Sequence, residues 1–364
     1  MTMDETALIE WAKNAQTDAL LKGGMLMPKQ RHDYVGAAMV VRAALFFPNA
    51  YQETVQGDIA RCFAAYAAYA GPRLRWLTQD GRKPVQLKEG QVDPKAFRAR
   101  GDAGVTAYLS SGEKAEDAGL WEFRVFGILE YEEAMPEGGA SALTFSVPVP
   151  FLVAHPRAFQ QLFVDFAKRL NAYNGYAGFA VNLSLTEAEA NTPTEYWLAR
   201  RYLALDVGNP LLNATHLRSK LKTVSWLTCL DKTLLEQVGG ISTLRSELPP
   251  DWFALYDMNG GVVIQAGPEP ESGGAADEAG KGPPVAPANY VILNNALKAV
   301  RATTVWRLQR GLMGAAAPYF DTTAESDDWL RRFDIDERDV FDYKAKLLKM
   351  PRLTSESTLE DQRL

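Results

Sequence analysis

Phe159, Phe163, Phe166, Leu170 and Tyr173 recur at spacings of four, three, four and three, which lays an apolar stripe along one face of a helix opened by Pro156. Phe179, Val181, Leu183 and Leu185 then alternate with Ala180, Asn182 and Ser184, the period of a half-buried strand. Asn174-Gly175 between them predicts a left-handed stop. Upstream, residues 143–153 read as a strand at a sheet edge or with a bulge, because Pro148 and Pro150 each remove a ladder donor.

The same succession occurs earlier. Residues 35–45 read as a strand, Pro48 opens a helix striped by Tyr51, Val55, Ile59, Cys62, Phe63, Tyr66 and Ala70, and Gly71-Pro72 ends it before Leu74, Trp76 and Leu77. Moving 108 positions along the chain places Pro48 on Pro156, Tyr51 on Phe159 and Gln52 on Gln160, which points to an internal duplication. The expected fold class is therefore α+β, with two related lobes, each a mostly antiparallel or mixed sheet covered by helices. Residues 1–140 form the first lobe, 141–312 the second, and 313–364 a charged helical tail.

Several smaller elements follow from local signals. Residues 1–27 contain an amphipathic helix with Leu8 and Trp11 on its apolar side, packed on the body. Residues 224–228 form a short strand, Asp231 caps a helix, and residues 253–264 form a hairpin through Gly260-Gly261. Residues 267–287 are almost all Gly, Pro, Ala and acidic groups, too few large apolar side chains to offset the entropy of ordering, so a mobile loop is expected there. Residues 290–312 read as a strand and then a helix holding Leu297, Val300, Val305, Trp306 and Leu308. The tail should carry a helix near 327–333 and fray after Pro351.

Composition narrows the function without naming it. At 364 residues and 47% hydrophobic the chain can bury a large core, and a net charge of -6 argues against direct nucleic-acid binding while permitting an acidic surface aimed at a basic partner. No apolar run is long enough to span a bilayer, and there is no signal sequence, so no membrane association is expected. Cys62 and Cys229 sit in apolar patterns as buried free thiols, and a cytoplasmic location follows.

The three histidines, His32, His155 and His216, have no paired-ligand spacing, and His155, just before Pro156, is expected to cap or pack. Residues 274–282 come nearest to a phosphate loop, but they have one residue too many between the glycines, no hydroxyl after Lys281, and two carboxylates where phosphate would sit. No catalytic residue, no cofactor and no metal site is expected, and the chain reads as not an enzyme. What remains is the acidic run Asp321, Glu325, Asp327, Asp328, Asp334 and Asp336, interleaved with Arg331, Arg332 and Arg338. It reads either as a solvated face with internal ion pairs or as a docking surface for a basic protein.

The ordered set Gly175-Tyr176-Ala177-Gly178-Phe179-Ala180-Val181-Asn182-Leu183-Ser184, Tyr202-Leu203-Ala204-Leu205-Asp206-Val207, Val224-Ser225-Trp226-Leu227-Thr228, Gly239-Gly240, Gly260-Gly261-Val262-Val263-Ile264-Gln265-Ala266-Gly267 and Tyr290 resembles the type VI secretion immunity protein family, over roughly residues 30–312. The resemblance implies an immunity protein, or antitoxin, that neutralises a cognate type VI effector toxin, by analogy a nuclease, most simply by occluding its active site. The matching residues look structural, with glycines shaping turns and Trp226 filling a core, so it places no binding role on them. A structural or adaptor protein of the secretion machinery and a carboxylate-dependent enzyme are the alternatives. Which toxin is bound, by which face, and in what oligomeric state are left open.

Overall fold

A single strand of thirteen residues, β2 (Val35–Phe47), runs through the middle of the molecule and is buried from Gly36 to Phe47. Both its edges are paired and both its faces covered, which is why it reads as an apolar run with one charge, Arg42, instead of an alternation. The computed structural model describes residues 2–13, 20–26, 31–79, 81–99, 104–274, 283–311 and 319–364.

The remaining strands are β1 (Leu20–Lys22), β3 (Trp76–Thr78), β4 (Val85–Gln86), β5 (Thr106–Ser110), β6 (Glu122–Phe126), β7 (Ser141–Val147), β8 (Asn174–Leu183), β9 (Leu227–Leu230), β10 (Phe253–Met258) and β11 (Gly261–Ala266). All join one 11-stranded antiparallel sheet in the order β10-β11-β9-β8-β2-β7-β6-β5-β3-β4, with β1 pairing the first half of β2. The α+β class stands, but a separate sheet for each lobe does not form, because β8 and β7 take opposite edges of the same β2. Nor does the strand order bear out the duplication. β8 returns beside β2, whereas β3 lands two strands beyond β6, which takes the matching place beside β7.

One face of the sheet is apolar and lies under the helices Glu53–Ala70 and Ala158–Arg169. Phe63 meets Phe123 at 5.3 Å between ring centroids, and Phe145 meets Phe159 at 5.2 Å and Phe166 at 5.0 Å. Each fully buried phenylalanine contributes roughly 1.5–3 kcal/mol. Cys62 and Cys229 are buried free thiols, as expected, and burial pushes both up from the ordinary thiol range.

Some local expectations fail for identifiable reasons. β7 is a central strand and not an edge, because it ends at Val147, before Pro148, and Pro150 opens the short helix Pro150–Ala154. The striped helix starts at Ala158 after Arg157 in a left-handed conformation, φ 68°. It is followed by Asn171 at φ 48°, so Asn174 and Gly175 belong to β8 and not to the turn. Tyr290 lies in the helix Ala288–Ala296, and the chain from 301 to 311 is irregular instead of helical. The tail carries the helix Thr323–Leu330, near the expected one. It does not fray after Pro351: Ser357 O accepts from Gln265 Nε2 at 2.9 Å, and Leu364 N donates to Leu255 O at 2.8 Å, so the chain end covers the outer edge of β10.

Residues 275–282 of the expected mobile loop lie outside the described residues, while its flanks are tied down by Leu203 N to Gly273 O and Val285 N to Gly274 O, each 3.0 Å. His155 packs, its ring 4.8 Å from Phe151 and 5.3 Å from Tyr69. The N-terminal helix Thr2–Lys13 sets Leu8 and Trp11 against Val181, Leu198 and Leu205. Among the described residues no helix is long and apolar enough to cross a membrane.

Candidate functional site

The second face of the sheet is polar where β2, β7, β6 and β5 meet. Register sets Arg42 beside Ser146 and Glu122, and Thr144 beside Arg124 and Tyr108. On the other side Arg42 faces Gly178, where an added Cβ would stand 2.2 Å from Ser225 Oγ. Gly178 therefore serves close approach inside a strand, not a turn. The Arg42 side chain is only 8% exposed and donates to Asp206 Oδ2 at 2.8 Å and to the carbonyls of Gly208 and Val181, each 3.2 Å.

Asp206 also accepts from Lys222 Nζ at 2.8 Å, and Lys222 donates in turn to Val207 O at 2.6 Å. Burial raises the Asp206 carboxyl, but Lys222 and Arg42 outweigh it and hold the group below its usual range. Burial lowers the Lys222 ammonium, only partly opposed by Asp206. A wall of this cluster is Glu195, accepting from Gly208 N at 3.0 Å and from Gln309 Nε2. There burial wins, and the Glu195 carboxyl is raised despite those bonds.

Arg42 and Arg124 line a pocket of about 240 Å³, closed by the helix Ala188–Arg201 on one side and by Leu212 and residues 308–310 on the other. Arg124 is held by Glu122 and by Tyr108, whose hydroxyl it reaches at 2.8 Å and whose ring it covers at 4.2 Å. The Arg42 Nε is buried with no hydrogen-bond partner among the described residues. Both guanidinium groups have carboxylate partners, Asp206 and Glu122, and Glu189 and Glu195 also line the pocket; the lining cation with no ion pair among the described residues is Arg310.

The acidic run divides on folding. Thr322 caps the helix Thr323–Leu330, its hydroxyl accepting from Glu325 N at 3.2 Å and donating to Glu325 Oε2 at 3.1 Å. Glu325 and Asp328 are exposed on this helix, Asp328 with Arg331 at 2.7 Å, and Asp336 is exposed with Arg338 at 3.0 Å. Asp321 and Asp327 are half-buried, and one Asp327 oxygen has no hydrogen-bond partner among the described residues. Asp334 turns inward, bonded to Arg301 Nη2 at 2.7 Å and Asn294 at 2.9 Å. Burial raises its carboxyl, but those bonds outweigh it and hold the group low. Three of the six side chains thus face solvent, and Asp334, half-buried like Asp321 and Asp327, is tied to Arg301.

No local motif in the sequence marks the pocket arginines. The available signal was a lone arginine in the apolar run of β2, the more telling because a buried charge demands a partner.

The chain matches the family model TsiV, described as type VI immunity for VRR-NUC, over residues 58–333. Among solved structures it is similar to the Pseudomonas aeruginosa T6SS protein PA0821, at 34% sequence identity and a TM-score of 0.88, with 100% of each chain covered. No curated protein matches.

Proposed function

The chain belongs to the family of type VI immunity proteins for VRR-NUC, and from that premise we propose that it binds a cognate VRR-NUC effector, a nuclease toxin, and occludes its active site. The observation that carries this reading is the family match over residues 58–333. On it the chain acts by stoichiometric contact in the cytoplasm and performs no turnover of its own. The two buried free thiols fit that compartment.

A nuclease groove holds phosphate and is accordingly basic, so an acidic surface is complementary to it. Glu325, Asp328 and Asp336, all exposed, supply such a surface and are proposed to steer the encounter, with Asp321 and Asp327 behind them and Asp334 bracing the segment from inside. A stable complex would bury on the order of 1,600 Å².

Co-expression with the effector tests the reading. Growth should be restored, and the two proteins should co-elute from a sizing column. The triple variant E325K/D328K/D336K should associate about tenfold more slowly at low salt, a difference that shrinks as salt is added. Unrelieved toxicity with no complex would remove the proposal, and unchanged association kinetics in the triple variant would remove the acidic segment from it.

A further inference from the structure

Trp306 is the largest side chain left in solvent, 68% exposed, and it stands in the left-handed region at φ 67°, unfavourable for a bulky residue. The segment holds it there. Val305 and Leu308 on either side are buried, Leu308 N donates to Ser326 Oγ at 3.1 Å, and Trp306 N donates to Thr304 Oγ1 at 3.2 Å. The indole stacks on His216 with ring centroids 6.0 Å apart. His216 follows the short helix Pro210–Asn213, whose Leu212 is 54% exposed at the lip of the arginine pocket. An exposed aromatic fixed in a strained backbone beside a pocket has the form of an interface anchor.

The pocket supplies the polarity. Arg310 is exposed in its lining and Arg307, next to the lining residue Leu308, is exposed too; neither has an ion pair among the described residues. Arg42, nine-tenths buried in its wall, keeps an unpartnered Nε. Glu189 is an exposed carboxylate in the same lining, and Glu195 lies buried there with its oxygens taken up by Gly208 N and Gln309 Nε2. At about 240 Å³ the space is below the roughly 300 Å³ at which small-molecule sites begin, and it suits one inserted side chain.

Resting on the immunity reading above, we infer that this face is the effector's anchoring site: Trp306 packs as an apolar hot spot while a carboxylate side chain of the effector enters the pocket beside Arg310. Charge complementarity selects this occupant, because Arg307 and Arg310 are exposed here against the one exposed carboxylate of Glu189, while the inner arginines, Arg42 and Arg124, answer the buried acids Asp206 and Glu122. The acidic segment, on the far side of the Leu308 to Ser326 contact, then governs encounter, and this face governs residence.

The test is the dissociation rate of the purified complex, followed for the full-length chain with the VRR-NUC effector. Trp306→Ala and Arg310→Glu should each dissociate about thirtyfold faster or more, the fold-change of a hot-spot residue. Arg310→Lys, which keeps the charge, should stay within a few-fold of wild type. Phe341→Ala, which removes a more exposed aromatic outside the pocket, should match wild type. Thermal unfolding of each variant checks that the fold is intact, as expected for exposed positions. Wild-type dissociation in both Trp306→Ala and Arg310→Glu, with wild-type protection preserved, would overturn the anchoring site alone. A wild-type chain that forms no complex would overturn the immunity reading beneath it.

Discussion

Asp206→Asn is expected to lower stability by about 3–5 kcal/mol. The substitution keeps the shape and removes the charge, leaving Arg42 and Lys222 buried side by side, 8% and 2% exposed, with no anion between them. Coulomb repulsion in a low-dielectric interior replaces two charge-assisted hydrogen bonds. The contrast is Asp328→Asn, whose partner Arg331 is exposed and whose effect should stay within about 0.5 kcal/mol.

Acid unfolding gives an independent check with a definite sign. The Asp206 carboxyl lies below its ordinary range in the folded chain, so its contribution is complete above the unfolded value of about 3.9 and is lost as pH falls through the folded value. Asp206→Asn should therefore lose stability less steeply than wild type below about pH 4. Glu195 acts the other way, since a raised carboxyl contributes below its unfolded value and loses that contribution as pH rises through the folded one. Chemical denaturation at neutral and acid pH measures both. An Asp206→Asn variant as stable as wild type at neutral pH would mean that Asp206 does not balance the buried charges of Arg42 and Lys222.

Gly208→Ala is expected to cost about 2–5 kcal/mol, the sum of left-handed strain and an overlap that backbone movement must relieve. Gly208 has φ 83°, its N–H donates to Glu195, its carbonyl accepts from Arg42, and an added Cβ would lie 2.1 Å from Leu308 O. The clash is with backbone, so no rotamer change removes it. Leu308 must move, and with it Gln309 and Arg310 at the pocket mouth, so effector binding should weaken along with stability. Gly240→Ala separates the two causes: φ there is 78°, with nothing within 4 Å of the added methyl, so only the strain of about 1–2 kcal/mol applies. Equal melting points for the two variants would contradict the steric argument.

The sequence was most readable where local pattern and tertiary environment agree. The stripe of Phe159, Phe163 and Phe166 does lie on a sheet, and Asp231 does cap the helix Lys232–Gln237, accepting from Leu234 N at 2.8 Å. Alternation identified β8 but mistook its polar positions for solvent-facing ones. Asn182 is 1% exposed and donates to Gly119 O and Ser146 Oγ across strands far away in sequence. The acidic run was visible as charge, yet no spacing reveals that Asp334 pairs with Arg301, 33 residues earlier.

The Trp306 stripe misled for a related reason. Apolar residues continue densely after Leu297 and Val300, as in a buried helix, and only the structure shows Trp306 at a left-handed φ with its indole turned out while Val305 and Leu308 stay in. The single sheet was hidden because pairing across long sequence separations is set by the edges of β2, which no local window contains.

On the proposed function, this chain neutralises its effector by occupying it. Titrating the purified chain into a fixed, well-above-Kd concentration of VRR-NUC effector while following nuclease activity tests that directly. A linear fall to zero, breaking at an integer ratio of chain to effector and unchanged by longer incubation, is the predicted result. Complete inactivation by a small fraction of an equivalent, deepening with time, or full activity at a large excess, would contradict it.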